Sequence, residues 1–423
     1  MSISLMYRRN PALGVIRPPK ANTPSKARCG WACLLLASGV VVGARAADAD
    51  LPLARMPQRE FQSRTPWSDP NFFPIAVWLQ SPGNAARYRA AGFNSYVGLW
   101  RGPTEEQLTT LKQAGMRLIC GQNEVALRHR DDPTIIGWMH GDEPDNAQSR
   151  RGGGYGPPIP PEQILAEYEQ MQRADSTRPV MLNLGQGVAW DNWHGRGVRS
   201  RHPEDYPRYV QGCDIASFDI YPVNGESPEV ANKLWLVADG VTRLVGWCGS
   251  SRLVWNCIEC GRIGEVDRQP TPQQVRCEVW MSLIHGSRGL IYFVHQFKPQ
   301  FREAALLDHP EMLAEVTELN RQITELAPVL NSPSLPAAAE VASANPEVPI
   351  DFTMKRRNGV SYLFAVAMRD GSTTGTFVIR EGPRSGSVRV LGENRGLPLR
   401  DGRFSDHFAA WDVHLYRIEA GGQ

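Results

Sequence analysis

The first 46 residues contain no aspartate or glutamate. The 423-residue chain has no phosphate-binding loop, no GxSxG elbow and no GxGxxG behind its first apolar run. These absences argue against a P-loop nucleotide hydrolase, a serine hydrolase of the elbow type and a dinucleotide-binding domain of the usual pattern. No internal repeat and no long low-complexity tract is present, so repeat architectures are also set aside.

The formal charge of +2 hides an asymmetry. Arg8, Arg9, Arg17, Lys20, Lys26, Arg28 and Arg45 all lie in the acid-free leader. Setting those seven aside leaves 39 Lys+Arg against 44 Asp+Glu, a net of −5. No basic surface for nucleic acid is indicated. The leader itself reads as an export signal: basic residues, an apolar run at Trp31–Gly43, then the small-residue pattern Ala44-Arg45-Ala46. The run falls short of the roughly 20 apolar residues of a membrane span. A retained anchor is the competing reading, and removal with a secreted or periplasmic product is the expectation. Arg8-Arg9 stands too far from the run for a twin-arginine signal, and no lipobox precedes Cys33.

Six cysteines remain beyond the leader: Cys120, Cys213, Cys248, Cys257, Cys260 and Cys277. An even number in an oxidising compartment permits disulfides, with connectivity open. Cys257-Ile-Glu-Cys260 is a single CxxC on an apparent strand, with no second pair at metal spacing, so buried small hydrophobes or structural half-cystines is the reading preferred.

Past a proline-rich lead-in, eight apolar runs alternate with helix-like segments. The runs are 73–80, 93–100, 116–123, 135–143, 179–186, 213–222, 252–260 and 288–296. Helical patterns are clearest at 104–114, 161–174, 228–245, 271–285 and 310–326. Thr104 with Gln107, and Thr271 with Gln274, have capping-box spacing. Little room is left for a third helix. Strands that are apolar throughout fit a parallel sheet covered on both faces. Eight units in this length predict a (β/α)8 barrel, with a doubly wound open sheet as the alternative. From about Ser332 a Pro/Ala-rich segment reads as a linker or edge segment, and the remainder alternates at period two between glycine turns, predicting a small antiparallel β-sandwich. The expected organisation is signal peptide 1–46, barrel 47–331 and sandwich 332–423.

In such a barrel the chemistry sits at the C-terminal strand ends. Those ends present Gln80, Trp100-Arg101, Asn123-Glu124, Asp142-Glu143, Gln186, Tyr221, Glu259 and His295. Glu143 closes strand four and Glu259 closes strand seven, so the two can face one another across the mouth. Glycosidic hydrolysis needs such a pair, one carboxyl protonating the leaving oxygen and the other, ionised, attacking or activating water. His140, Asp142, Asp219 and His295 are scattered near strand ends, but strand one lacks the His-x-His of a barrel metal site. Neither a metal nor another cofactor is called for.

The motifs GWMHGDEPDN (137–146), SFDIYPV, IEC and PTPQQVRCEVWMSLIHGSRGLIYFVHQF, with the terminal FSDHFAAWDVHLYRI, resemble clan-A glycoside hydrolases with an appended β-sandwich. The resemblance implies Glu143 as acid/base, Glu259 as nucleophile and Tyr221 as the hydrogen-bond partner orienting that nucleophile. It implies a carbohydrate substrate, with retention of anomeric configuration. Asp142 stands where the clan often has Asn, and Phe293 and His295 where many members have Trp. Trp100, Trp190, Trp193 and Trp255 could stack on sugar rings or simply pack; for Trp190 and Trp193 the polar loop 185–200 favours ligand contact. Glu143 also reads as a turn cap, Glu259 as a structural acid paired with Arg262 or Arg288, Tyr221 as a core aromatic, and Glu124 as a helix-start acid. A non-catalytic glycan-binding protein on the same frame is the alternative function.

Overall fold

The computed structural model describes residue 61, residues 64–264 and residues 267–420. The leader therefore lies outside the described residues. Eight parallel strands close a ring: β1 Ile75–Trp78, β2 Ser95–Val97, β3 Arg117–Cys120, β4 Ile135–Met139, β5 Val180–Leu184, β6 Ile215–Phe218, β7 and β8 Leu290–Phe293. β7 comes in two segments, Leu253–Val254 and Asn256–Glu259. The first segment pairs with β6, the second with β8, and β8 pairs back to β1, which completes the barrel.

Period-two alternation explains why the strands read as apolar throughout. Ala76, Trp78, Val97, Ile119, Met181, Ile215 and Ile291 fill the barrel interior. Ile75, Val77, Leu118, Val180 and Leu290 point the other way, into the core under the helices. Trp255, at the break in β7, is fully buried in the interior cluster. A Cβ at Gly289 would meet its indole at 2.4 Å, so this strand start has room only for glycine.

The helices follow in turn: α1 Ala85–Ala90, α2 Glu105–Gln113, α3 Glu124–Arg128, α4 Pro161–Ala174, α5 Tyr206–Tyr209, α6 Trp235–Cys248, α7 Pro272–Ile284 and α8 Pro310–Leu330. Both capping boxes form, Thr104 with Gln107 and Thr271 with Gln274. α3 is short, as expected. α6 starts later than the sequence pattern indicated. Asn232 adopts a left-handed backbone (φ 58°) and its amide donates to Pro222 O, so 227–233 forms a turn at the rim of the barrel mouth instead of a first helical turn.

The second unit is two antiparallel sheets. Its strands are β9 Ala339–Ser343, β10 Ile350–Arg357, β11 Val360–Ala367, β12 Thr373–Ile379, β13 Gly386–Val390, β14 Arg395–Leu399, β15 Arg403–Phe408 and β16 Val413–Ala420. The orders are β9-β12-β15 and β10-β11-β16-β13-β14. The Pro/Ala-rich segment, read as a linker or edge segment, supplies an edge strand. Among the described residues, all six cysteines are free buried thiols, which agrees with the small-hydrophobe reading.

α7 is buried on every side from Cys277 to Ile284, because it lies between barrel and sandwich. Trp280 packs on Phe364 at 5.1 Å, Gln273 Nε2 donates to Ala410 O at 2.8 Å, and Trp235 stacks on Trp411. One continuous apolar core crosses the seam, including Phe364, Val366 and Leu415. Phe364→Ala should therefore cost about 3–5 kcal/mol and lower the midpoint of a single unfolding transition. Denaturant unfolding followed by far-ultraviolet dichroism and tryptophan fluorescence checks this; two separated transitions in the native protein would show that the seam does not couple the units.

Candidate active site

β4 ends at Met139, yet the chain stays zipped to β5 beyond it, with His140 N donating to Met181 O and Glu143 N to Asn183 O. At Glu143 the backbone turns left-handed (φ 46°), a conformation costing of order 1–3 kcal/mol for a residue with a side chain. Leu79 and Arg101, just past β1 and β2, share it. The turn lodges Glu143 in a cavity of about 320 Å³ at the barrel mouth, together with Asp219 and Tyr221 from the end of β6. Gln186, Trp190, Trp193 and His194 form one wall, and Asn224, Ile263 and Phe297 belong to the others.

Glu143 Oε2 and Asp219 Oδ1 are buried and find no donor in the surrounding protein. The two carboxyls hydrogen-bond each other, which requires one to keep its proton. Asp219 is that one. Burial first, then the charges of Glu143 and Asp142, hold its carboxyl well above the usual range. Tyr221 lies beside Asp219, and its own hydroxyl is raised well above its ordinary value by burial and by that neighbour. Asp142 is half-buried beside the pair, and Asn183 Nδ2 holds its Oδ1 at 3.0 Å while Asn183 Oδ1 accepts from Ser217.

The rest of GDEPDN supports the tryptophan wall. Asn146 Oδ1 accepts from Trp193 Nε1 at 2.8 Å. Asp145 accepts from Gly185 N and Tyr206 Oη, and Arg196 beside it is held by Asp205. Burial pushes Asp145 up to about 6. Trp190 Nε1 donates to Glu229, and its ring lies 5.5 Å from that of Trp193.

The structure brings Glu143, Tyr221, Trp190 and Trp193 to the cavity, with Asp142 beside it. It does not bring Glu259, Trp100 or His295 there. Glu259 is 0% exposed and is built into the wall: its carboxyl accepts from Val223 N (2.6 Å), Asn224 N (3.1 Å) and Asn224 Nδ2 (2.5 Å). Asn224 Oδ1 in turn accepts from Ile263 N. Glu259 thus pins the loop after β6 to the loop after β7 underneath the cavity, and it pairs with neither Arg262 nor Arg288. Tyr221 lines the cavity beside Asp219, and the bonds held by the Glu259 carboxyl come from Val223 and Asn224. Trp100 is 40% exposed on a loop with Arg101 over its ring. His295 is buried against Gln80 and stacked among Phe293, Phe297 and Phe301, and burial drives its pKa down to about 3. Asp219 entered the sequence reading only among scattered metal-type residues. Its place two residues before Tyr221, at a strand end, was the available signal. Among the described residues, no group of three or more His, Cys, Asp or Glu is placed to hold a metal ion.

The fold matches solved structures at low identity. The chain is similar to the α-amylase of Geobacillus thermoleovorans complexed with acarbose (8% identity, TM-score 0.53, 84% of this chain and 99% of that one). It is also similar to AmyP in complex with maltose (10%, TM-score 0.51, 84% and 98%). These likenesses show a parallel barrel followed by an antiparallel β-unit. No protein-family model and no curated protein matches the chain.

Glu259 has a second buried acid beside it, Glu278 of α7, whose oxygens find no other partner. Burial pushes Glu259 up to about 7 from an ordinary 4.5, and Glu278 also lies well above that value, first from burial and then from Glu259. A carboxyl raised in the folded state holds its proton more tightly folded than unfolded. The stability this gives is complete below the unfolded value and lost as pH rises through the folded one. Unfolding free energy should fall as pH rises from the ordinary 4.5 to about 7, at up to about 1.4 kcal/mol per pH unit per proton. Glu278→Gln, which keeps a donor toward Glu259, should flatten that fall. Urea titrations from pH 5 to 9 measure both slopes, and equal slopes would contradict the shared proton.

Proposed function

We propose that the protein is a glycoside hydrolase acting on a poly- or oligosaccharide, with Asp219 as the acid and Glu143 as the nucleophilic carboxylate. The observation that carries this is the Glu143–Asp219 pair, sharing one proton at the floor of a cavity walled by Trp190, Trp193 and Tyr221. Two carboxyls whose surroundings separate their protonation are what glycosidic cleavage requires. The fold neighbours bound to acarbose and to maltose are further support.

A sugar ring enters against the tryptophan wall and parts the two carboxyls. The Asp219 proton passes to the glycosidic oxygen as its bond to the anomeric carbon breaks, and Glu143 bonds to that carbon. Water then displaces Glu143, returning a proton to Asp219. With Glu143 bonding the anomeric carbon, the course is the retaining one. The leader, with its apolar run and small-residue site, supports export of the mature chain to the periplasm or medium.

Glu143→Gln and Asp219→Asn should each lower kcat on a cleavable aryl glycoside by about 10²–10⁴-fold while leaving the dichroism spectrum unchanged. Azide should rescue Glu143→Ala as a glycosyl azide, because a small anion can take the carboxylate's place. It should not rescue Glu259→Ala. Full activity in the Glu143→Gln protein would overturn the assignment.

A further inference from the structure

The cavity is as informative in what it lacks as in what it holds. Among the described residues, no lysine or arginine lines it, whereas Glu143, Asp219 and, at the rim, Glu226 do. The arginines of the surrounding loops are engaged elsewhere. Arg196 and Arg199 hold Asp205, Arg243 holds Asp191, and Arg268 donates to the carbonyls of Val223 and Gly225. Lys298, next to Phe297, is not free either. His194 is held below its ordinary pKa, chiefly by burial, so it is neutral at pH 7. The remaining lining consists of aromatic planes and the neutral polar groups of Gln186, Asn224 and Ser227. Such a lining reads hydroxyl groups and the apolar face of a ring. It has nothing to neutralise an anion, and the carboxyl residues Glu143 and Asp219 are part of it.

Building on the glycosidase reading, we propose that this site selects glycans whose sugar in the cavity carries no negative charge, and rejects uronic acids and sulfated sugars. A carboxylate substituent there would be desolvated beside Glu143 and Asp142 with no cation to pair it. The wall of Trp190 and Trp193, by contrast, favours any neutral pyranose whose axial hydrogens can lie on indole.

The test uses Asp219→Asn of the full chain, which stops turnover yet preserves cavity charge because Asp219 is already protonated. Neutral gluco-, galacto-, manno- and xylo-trisaccharides are titrated against hexuronic acid trimers by calorimetry, at low salt and in 1 M NaCl. The expected result is a preference of roughly 30-fold or more for the best neutral trimer at low salt, shrinking in 1 M NaCl as screening sets in. Equal or tighter binding of the hexuronate trimers, a gap unmoved by salt, or no binding of any neutral trimer would each overturn the proposal. A parallel assay of the unmodified protein on the same sugars separates the two claims. If the neutral trimers bind with the expected salt-sensitive gap but none is cleaved, the charge selection stands and the glycosidase reading fails.

Discussion

A buried carboxyl with no donor and no cation within reach cannot sit beside a second one unless one of them keeps its proton. That constraint governs the mouth of this barrel. Glu143 and Asp219 share a hydrogen bond in a cavity with no basic lining among the described residues, and Asp219 holds the proton because burial and two neighbouring acids penalise its charge. The arrangement is unfavourable for folding and useful for acid–base chemistry. It persists because the surrounding structure fixes it from several sides.

Those supports are specific. The ladder between β4 and β5 extends past the end of β4 and delivers Glu143 through a left-handed turn. The ladder between β5 and β6 does the same for Asp219, whose amide donates to Leu184 O. Asn183 holds Asp142 on one side and Ser217 on the other. Asp145 and Asn146 brace the tryptophan wall, so the DEPDN run both lines the cavity and supports it. Beneath the cavity, Glu259 joins the loops after β6 and β7. A strand-end glutamate can be essential to a site and never touch its ligand.

The architecture was legible because the barrel strands are buried on both faces and therefore predominantly apolar. Thr104 with Gln107 and Thr271 with Gln274 marked two helix starts to the residue. The start of α6 was not legible, since its apparent first turn is tied instead to Pro222 at the mouth. The facing of strand-end residues was also hidden. β7 is interrupted at Trp255, and Glu259 is captured by the backbone amides of a neighbouring loop, an outcome set by tertiary structure rather than by spacing. Trp190 and Trp193 could be placed from the polar character of their loop. Trp100 could not, because nothing local distinguishes a tryptophan over a cavity from one lying on the surface.

The central claim is the shared proton, and the most direct measurement is a carbon-13 titration of the side-chain carboxyls with the Asp219 resonance assigned by Asp219→Asn. The expected result is an Asp219 signal that stays in its protonated position through neutral pH and moves when Glu143 is replaced by glutamine. An Asp219 signal that titrates near its ordinary value of 3.8, indifferent to Glu143, would contradict the pair and with it the role assigned to the cavity.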